Sequence, residues 1–213
     1  MEDLRSMGDE YGKYELEITK VDKNPIEQFK KWLDEAIATN ALEPTSMILS
    51  TSTTDGKPSS RALLLKEILD DTFCFFTNYQ SKKGKQIAAN PYGSLLFFWP
   101  EFERQVTMEG ELKQLSKEKS DEYFRTRPEK SKIGAWSSPQ SSVIPNKKHI
   151  EILQKEFEKR FVRIPVIRPP HWGGYQFIPD SIEFWQGRPN RLHDRILFTK
   201  DENGEWIKQL LAP

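Results

Sequence analysis

Residues 46–78 read SMILSTSTTDGKPSSRALLLKEILDDTFCFFTN, three runs rich in Thr, Leu and Phe separated at Asp55-Gly56 and at Asp70-Asp71. Gly and Asp supply the backbone freedom of a tight reversal. The breaks are therefore hairpin signals, and the runs are predicted as strands near 46–53, 59–66 and 72–77. Strands joined by so short a turn pair antiparallel, because a parallel pair needs a crossover of roughly a dozen residues or more.

The pattern continues outward from this stretch. Ser94–Trp99 and Gln105–Gln114 form another predicted pair of strands. Gly174–Ile178, Ile182–Gln186, Arg191–Thr199 and Trp206–Leu211 return to strands, with Asn203-Gly204 as a turn. Asn24-Pro25 is a cap followed by a first-turn proline, and Ile26, Phe29, Leu33, Ala36 and Ile37 recur at helical spacing, predicting a helix to about Thr39. Ser81 caps a short helix to Ala89, and Ser116 opens a helical stretch to about Arg125 that Pro128 interrupts. Lys147–Phe161 is a further helix, with an irregular loop before it. So many short strands joined by tight turns, without G-x-G-x-x-G or G-x-x-x-x-G-K-[ST], predict a mainly β, α+β architecture. The expected form is an antiparallel barrel with flanking helices rather than a doubly wound sheet. Residues 1–23 are polar and weakly periodic and read as a mobile arm; 24–213 read as one domain.

Charge excludes several classes. The 213 residues carry 32 Lys plus Arg and 32 Asp plus Glu. No overall field draws the chain to nucleic acid or anionic lipid, so anion binding must be local. Apolar runs such as Ser94–Trp99 are too short to span a bilayer, and Met1–Glu10 lacks the basic and apolar regions of a signal peptide. The expectation is a soluble cytoplasmic protein. Three scattered histidines and one cysteine offer no metal-ligand spacing, and Cys74, inside the apolar run Phe73–Phe76, is expected to be a buried side chain without chemical role.

Several cationic residues ask for a partner. Arg61 and Lys66 stand at the ends of R-A-L-L-L-K, either at solvated rims or facing an anion. Phe76-Thr77-Asn78 ends a strand, and Ser81-Lys82-Lys83-Gly84-Lys85 then opens a helix, combining hydroxyls, free N–H groups and ammonium groups in a way that suits a phosphate monoester. The alternative is an ordinary capped helix with a solvated basic face. Tyr123, Arg127 and Ser131 recur every four residues, so a helix continuing past Pro128, or a turn replacing it, could converge them on a second phosphate. Gly134-Ala135-Trp136 leads into the polar loop Pro139-Gln140-Ser141-Ser142. Alternation along Arg191–Arg195 would aim Arg191, His193 and Arg195 to one strand face, with Asp194 opposite as a structural partner.

The strings R-x-L-L-L-K, F-F-T-N-x-x-S-K-K, E-R-Q-V, Y-F-x-x-R-P-x-x-S-x-I-G-A-W, Q-S-S, E-F-W-Q-G and R-L-H-D-R stand in this order. From about Pro25 to Pro213 the chain thereby resembles the pyridoxamine 5′-phosphate oxidase family. The resemblance implies a split antiparallel β-barrel of the FMN-binding type, a homodimer with FMN in clefts between the subunits. The implied cofactor contacts are Arg61, Ala62, Leu63, Leu64, Lys66, Phe76, Thr77, Lys82, Lys83, Gln105, Gln140, Ser141, Trp185 and Arg195. The implied substrate contacts are Lys66, Tyr123, Arg127, Ser131, Arg191, Leu192 and His193, with Arg191 and His193 as the catalytic pair over the pyridine ring.

The implied reaction oxidises pyridoxamine or pyridoxine 5′-phosphate to pyridoxal 5′-phosphate by hydride transfer to the flavin, with oxygen reduced to hydrogen peroxide and ammonia released from the amine. Lys82 stands where the family more often has Arg, which keeps the charge and loses the bidentate fork. The family often shows R-x-x-Y closing over the substrate near the N-terminus. Here Gly8 precedes Tyr11 by three residues, leaving Arg5 and Tyr11 as candidates for that closure. A non-catalytic flavin or pyridoxal-phosphate carrier on the same barrel would have no need of the whole R-L-H-D-R string. A split-barrel reductase acting on another substrate would have no need of Tyr123, Arg127 and Ser131 as a phosphate clamp. A nucleic-acid module is disfavoured by neutral charge and dispersed aromatics.

Overall fold

The computed structural model describes residues 10–213, so Arg5, one of the two candidates for closure, lies outside the described residues. Helix α1 (Pro25–Ala38) starts as its sequence directs, with Pro25 in the first turn and the Asn24 side chain accepting the Ile26 N–H at 2.8 Å. Its apolar face enters the core. Phe29 meets Phe73 and Phe97 at ring separations of 5.0 and 4.7 Å, and Trp32 meets Phe184 at 5.2 Å. These edge-on contacts are the favoured aromatic geometry.

Nine strands form one antiparallel sheet among the described residues: β1 Ser46–Ser52, β2 Pro58–Leu64, β3 Glu67–Leu69, β4 Thr72–Asn78, β5 Tyr92–Trp99, β6 Arg104–Gln114, β7 Trp172–Gln186, β8 Asp194–Lys200 and β9 Trp206–Leu211. The main path runs β2-β1-β5-β6-β7-β4-β3, with β8 and β9 branching from β7. Strand β7 is the pivot. One edge pairs with β6 along its length, while the other pairs with β4 over Trp172–Phe177 and with β8 over Ser181–Gln186. Around Pro179 the register against β6 shifts at Glu109/Gly110. A Cβ on Gly110 would lie 2.1 Å from the Ile178 carbonyl oxygen, so only glycine admits this approach. The bend falls where the partner of β7 changes from β4 to β8.

Period-2 alternation sorts the faces. Leu49, Leu95, Phe97, Val106, Met108, Ile182, Phe184 and Phe198 point into the core and are fully buried. Ile48, Leu64 and Phe98 point outward and remain 40%, 37% and 49% exposed.

Four expectations change. The predicted strands 174–178 and 182–186 are one strand, because Pro179 and Asp180 bend it without ending it. The strand predicted to 66 stops at Leu64, leaving Lys66 in the connection to β3. The stretch from Ser116 is two helices, α3 (Lys117–Thr126) and α4 (Glu129–Ser137), with Arg127 extended between them and Pro128 capping the second, so Gly134–Trp136 is helical rather than loop. The strand predicted from Arg191 begins at Asp194, because Asn190 and Arg191 take left-handed backbone, φ 55° and 60°. Arg191, His193 and Arg195 therefore do not share a strand face.

Helix α2 (Lys82–Ala89) and helix α5 (Lys147–Arg160) complete the framework, α5 packing Phe157 and its following Phe161 on Trp136 at 5.5 and 5.6 Å. From Glu10 to Lys23 the expected arm lies against the domain. Lys208 Nζ donates to the carbonyls of Ile18 and Val21 at 2.6 and 2.9 Å, and Val21 is buried.

Candidate active site

The first cluster forms where β4 hands over to α2. Ser81 caps α2 through the Gly84 N–H, and the same turn buries the Lys83 side chain, 6% exposed. Lys83 Nζ donates to Thr77 Oγ1, Ser81 Oγ and Gln140 Oε1 at 3.2, 3.4 and 3.4 Å. Arg61 approaches from β2, donating to the Leu49 carbonyl, Thr51 Oγ1 and Ser59 Oγ at 3.0, 2.7 and 2.7 Å. Neither cation has a carboxylate partner among the described residues. Burial, and for Lys83 also the nearby Arg61 charge, holds each below its ordinary pKa. A buried and a half-buried cation facing only neutral oxygens form a seat for an anion. Arg61 is thus no solvated rim, and Lys82, exposed one residue from Lys83, is.

The second cluster lies on the other side of β4, as alternation from Thr77 to Phe76 requires. Tyr123 stacks on Phe76 at 3.7 Å and 8°, and the Arg127 guanidinium lies 4.4 Å over the Trp172 ring. Burial lowers the Arg127 pKa and raises that of Tyr123, and the two groups interact electrostatically. Among the described residues the buried Arg127 Nη1 has no hydrogen-bond partner, an orphan donor that a bound anion would satisfy. Lys66, Phe76, Tyr123 and Thr126 line one cleft of about 280 Å³. Ser131, in the first turn of α4, makes no recorded side-chain bond to Tyr123 or Arg127; its N–H donates to Pro128. The trio is joined only in its first two members.

The third cluster is on the outer face of the sheet. Gln105, Trp185 and Arg195 are cross-strand neighbours on β6, β7 and β8. Arg195 forms a bidentate pair with Glu183 at 2.7 and 3.0 Å, which raises its pKa. The anionic neighbour expected for the R-L-H-D-R cations is thus Glu183 for Arg195 alone. His193 lies tilted against Trp185 at 4.5 Å, and its Nδ1 accepts the Arg188 N–H at 3.1 Å, which puts the ring proton of neutral His193 on Nε2. Asp194 does act structurally, accepting the Leu16 N–H and pairing with Arg188. Arg191 and Leu192 are exposed, and so are Gln140 and Ser141 of the polar loop.

Sequence reasoning missed Thr51 and Ser59, which hold Arg61, and Trp172, which supports Arg127. Hydroxyls and aromatics inside strands carry no local mark of such roles. It also left Arg188 and Glu103 aside, although both lie within or next to quoted strings.

Fold and clusters together define a split β-barrel with unneutralised cations beside aromatic walls. Residues 33–160 match the family profile described as "Pyridoxamine 5'-phosphate oxidase", and 172–213 match that of the "Pyridoxine 5'-phosphate oxidase C-terminal dimerisation region". The chain belongs to the pyridoxamine 5′-phosphate oxidase family. A Neisseria meningitidis protein named pyridoxine/pyridoxamine 5′-phosphate oxidase is 48% identical over 213 residues, 99% of this chain and all (100%) of the relative. A Paraburkholderia xenovorans protein of the same name is 47% identical over 214 residues, covering 100% of both chains. Among solved structures, PhzG from Burkholderia lata 383 in complex with tetrahydrophenazine-1-carboxylic acid superposes with a TM-score of 0.86 at 28% identity, over 92% of this chain and 95% of that one.

Proposed function

We propose that the chain oxidises pyridoxamine 5′-phosphate and pyridoxine 5′-phosphate to pyridoxal 5′-phosphate as an FMN-dependent homodimer. The observation that carries this reading is the pair of anion seats on the two sides of β4, Lys83 with Arg61 and Arg127 with Tyr123, neither neutralised by a described carboxylate. Two phosphate-bearing ligands need two such seats.

Lys83, Arg61, Thr77 and Gln140 would hold the FMN phosphate, with Lys82 and Ser141 beside them in the chain and Ala62, Leu63 and Leu64 of β2 flanking the flavin. Lys66, Tyr123, Arg127 and Ser131 would hold the substrate phosphate, with Phe76 between the seats. Gln105, Trp185 and Arg195 would complete the flavin site from the outer face of the sheet. When bound, FMN supplies hydride acceptance from the substrate carbon and reoxidation by oxygen to give hydrogen peroxide. Arg191, Leu192 and His193 would cover the pyridine ring. The tautomer set by Arg188 makes neutral His193 Nε2 a hydrogen-bond donor toward that ring, so its part is to orient and to stabilise charge rather than to abstract a proton.

Oxygen uptake by the purified protein with added FMN, on pyridoxamine 5′-phosphate against unphosphorylated pyridoxamine and with aldehyde followed in parallel, tests this reading. Phosphate-dependent uptake with matching aldehyde is the expected result. A yellow, ligand-binding but inert protein would establish a carrier instead, and failure to bind FMN would overturn the assignment.

A further inference from the structure

The segment from Tyr11 to Leu16 crosses the β7–β8 connection, and three charged side chains grip its backbone. Glu103 does so most directly. It ends the turn Pro100–Phe102 in left-handed backbone, φ 53°, and is 5% exposed. Its Oε2 accepts the N–H groups of Gly12 and Lys13 at 2.8 and 3.1 Å. Its own main chain is fixed, because its carbonyl accepts Gly187 N–H at 2.7 Å and Gln186 Nε2 at 3.2 Å. Among the described residues the carboxylate has no cation partner, so its recorded bonds go to this segment alone. Arg188 adds bonds to the Tyr14 carbonyl and the Glu15 carboxylate at 3.0 and 2.7 Å, and Asp194 accepts Leu16 N–H at 3.0 Å.

The consequence falls on Tyr11. Its ring stands edge-on to Trp185 at 5.7 Å and lies 6.1 Å from His193. It occupies the space over Gly187, where a Cβ would come within 2.7 Å of the ring. Tyr11, Trp185 and His193 thus pack into one aromatic wall, whose outer side suits a flat heteroaromatic ring. We propose that Glu103 is a positioning residue: its buried carboxylate seats Tyr11 in the aromatic wall that meets the substrate ring. This rests on the reading of His193 as a substrate contact, with Trp185 beside it in the flavin site.

The test uses FMN-saturated protein carrying Glu103→Gln, Gly187→Ala, Tyr11→Ala and the two doubles with Tyr11→Ala. Glu103→Gln is expected to raise KM for pyridoxamine 5′-phosphate about tenfold, the loss of one charge-assisted hydrogen bond, with a smaller change in kcat and an unchanged FMN affinity. Gly187→Ala should reproduce this by displacing the ring with Glu103 intact. Neither substitution should add to the effect of Tyr11→Ala, as residues acting through one wall are non-additive. Trypsin cleavage after Lys13 should quicken in Glu103→Gln. Equal KM effects with and without Tyr11, or an unchanged KM in both single variants, would overturn the proposal. Affinity for pyridoxal 5′-phosphate, measured by titration, separates the two readings. A wild-type protein that consumes no oxygen yet binds this ligand in a Glu103-dependent way would sink the oxidase reading and support the wall.

Discussion

Lys83 is a cation held inside the protein without a described carboxylate beside it. Its ammonium is buried, touches three neutral oxygens and shares its surroundings with Arg61. Removing a charge that has no carboxylate partner among the described residues costs the empty protein little, whereas a bound phosphate loses a charge-assisted hydrogen bond of about 1.5–3 kcal/mol. Lys83→Met should therefore weaken FMN binding about 10- to 100-fold while the melting temperature of FMN-free protein stays level or rises, as flavin fluorescence titration and calorimetry would record. The pH dependence has a definite sign. The lysine pKa is lowered in the folded protein, so the ammonium deprotonates at lower pH than a free lysine, and a bound phosphate opposes that loss. FMN affinity should fall as pH rises through this lowered value, and Lys83→Arg should flatten the alkaline limb. An unchanged slope in Lys83→Arg would assign the titration to another group.

Among elements, the handover from β4 to α2 controls the first anion seat. Gly84 packs so closely that a Cβ would lie 2.1 Å from the Tyr79 carbonyl oxygen, and backbone cannot yield as a flexible side chain can. Gly84→Ala should push the start of α2 outward, costing about 1–3 kcal/mol of stability and weakening FMN binding together. Calorimetry and titration showing one change without the other would separate helix position from the phosphate seat. The sequence around α2 was fully legible, since cap, basic turn and terminating Asn90-Pro91 are all local signals. The stretch around Pro128 was half legible. Proline forbids a continuous helix, yet whether a second helix follows depends on Ile133 and Ala135 finding a core against Phe124 and Trp172. The strand expected from Arg191 failed for a related reason: alternation cannot show that Asn190 and Arg191 turn through left-handed backbone.

For the whole molecule, the outer sheet face is the surface that the proposed homodimer would bury. Ile48, Leu64 and Phe98 stay exposed there, and cross-strand register places Gln105 beside Phe98 and Trp185 one strand further on. Exposed apolar residues surrounding polar site residues mark an interface. In the proposed homodimer this face would meet its partner with the flavin between them. Phe98→Glu should then yield a monomer by sedimentation and lose FMN affinity in the same variant. A Phe98→Glu protein that remains dimeric and yellow would place the interface elsewhere.

By itself, the sequence determined the antiparallel character, the helices at Pro25 and Lys82, the family and the identity of the cations that need anionic partners. Those are properties of periodicity, turn chemistry and local strings, each readable within a few residues. Only the tertiary structure decided that β7 serves two partners along one edge, that Arg195 is paired with Glu183, and that among the described residues Lys83 meets no carboxylate and Arg127 Nη1 no hydrogen-bond partner. The docking of Tyr11 through Glu103, about 90 positions away, belongs with these. Whether a charge is paired depends on which distant strands and loops the fold brings within hydrogen-bond reach, and no local pattern encodes that distance.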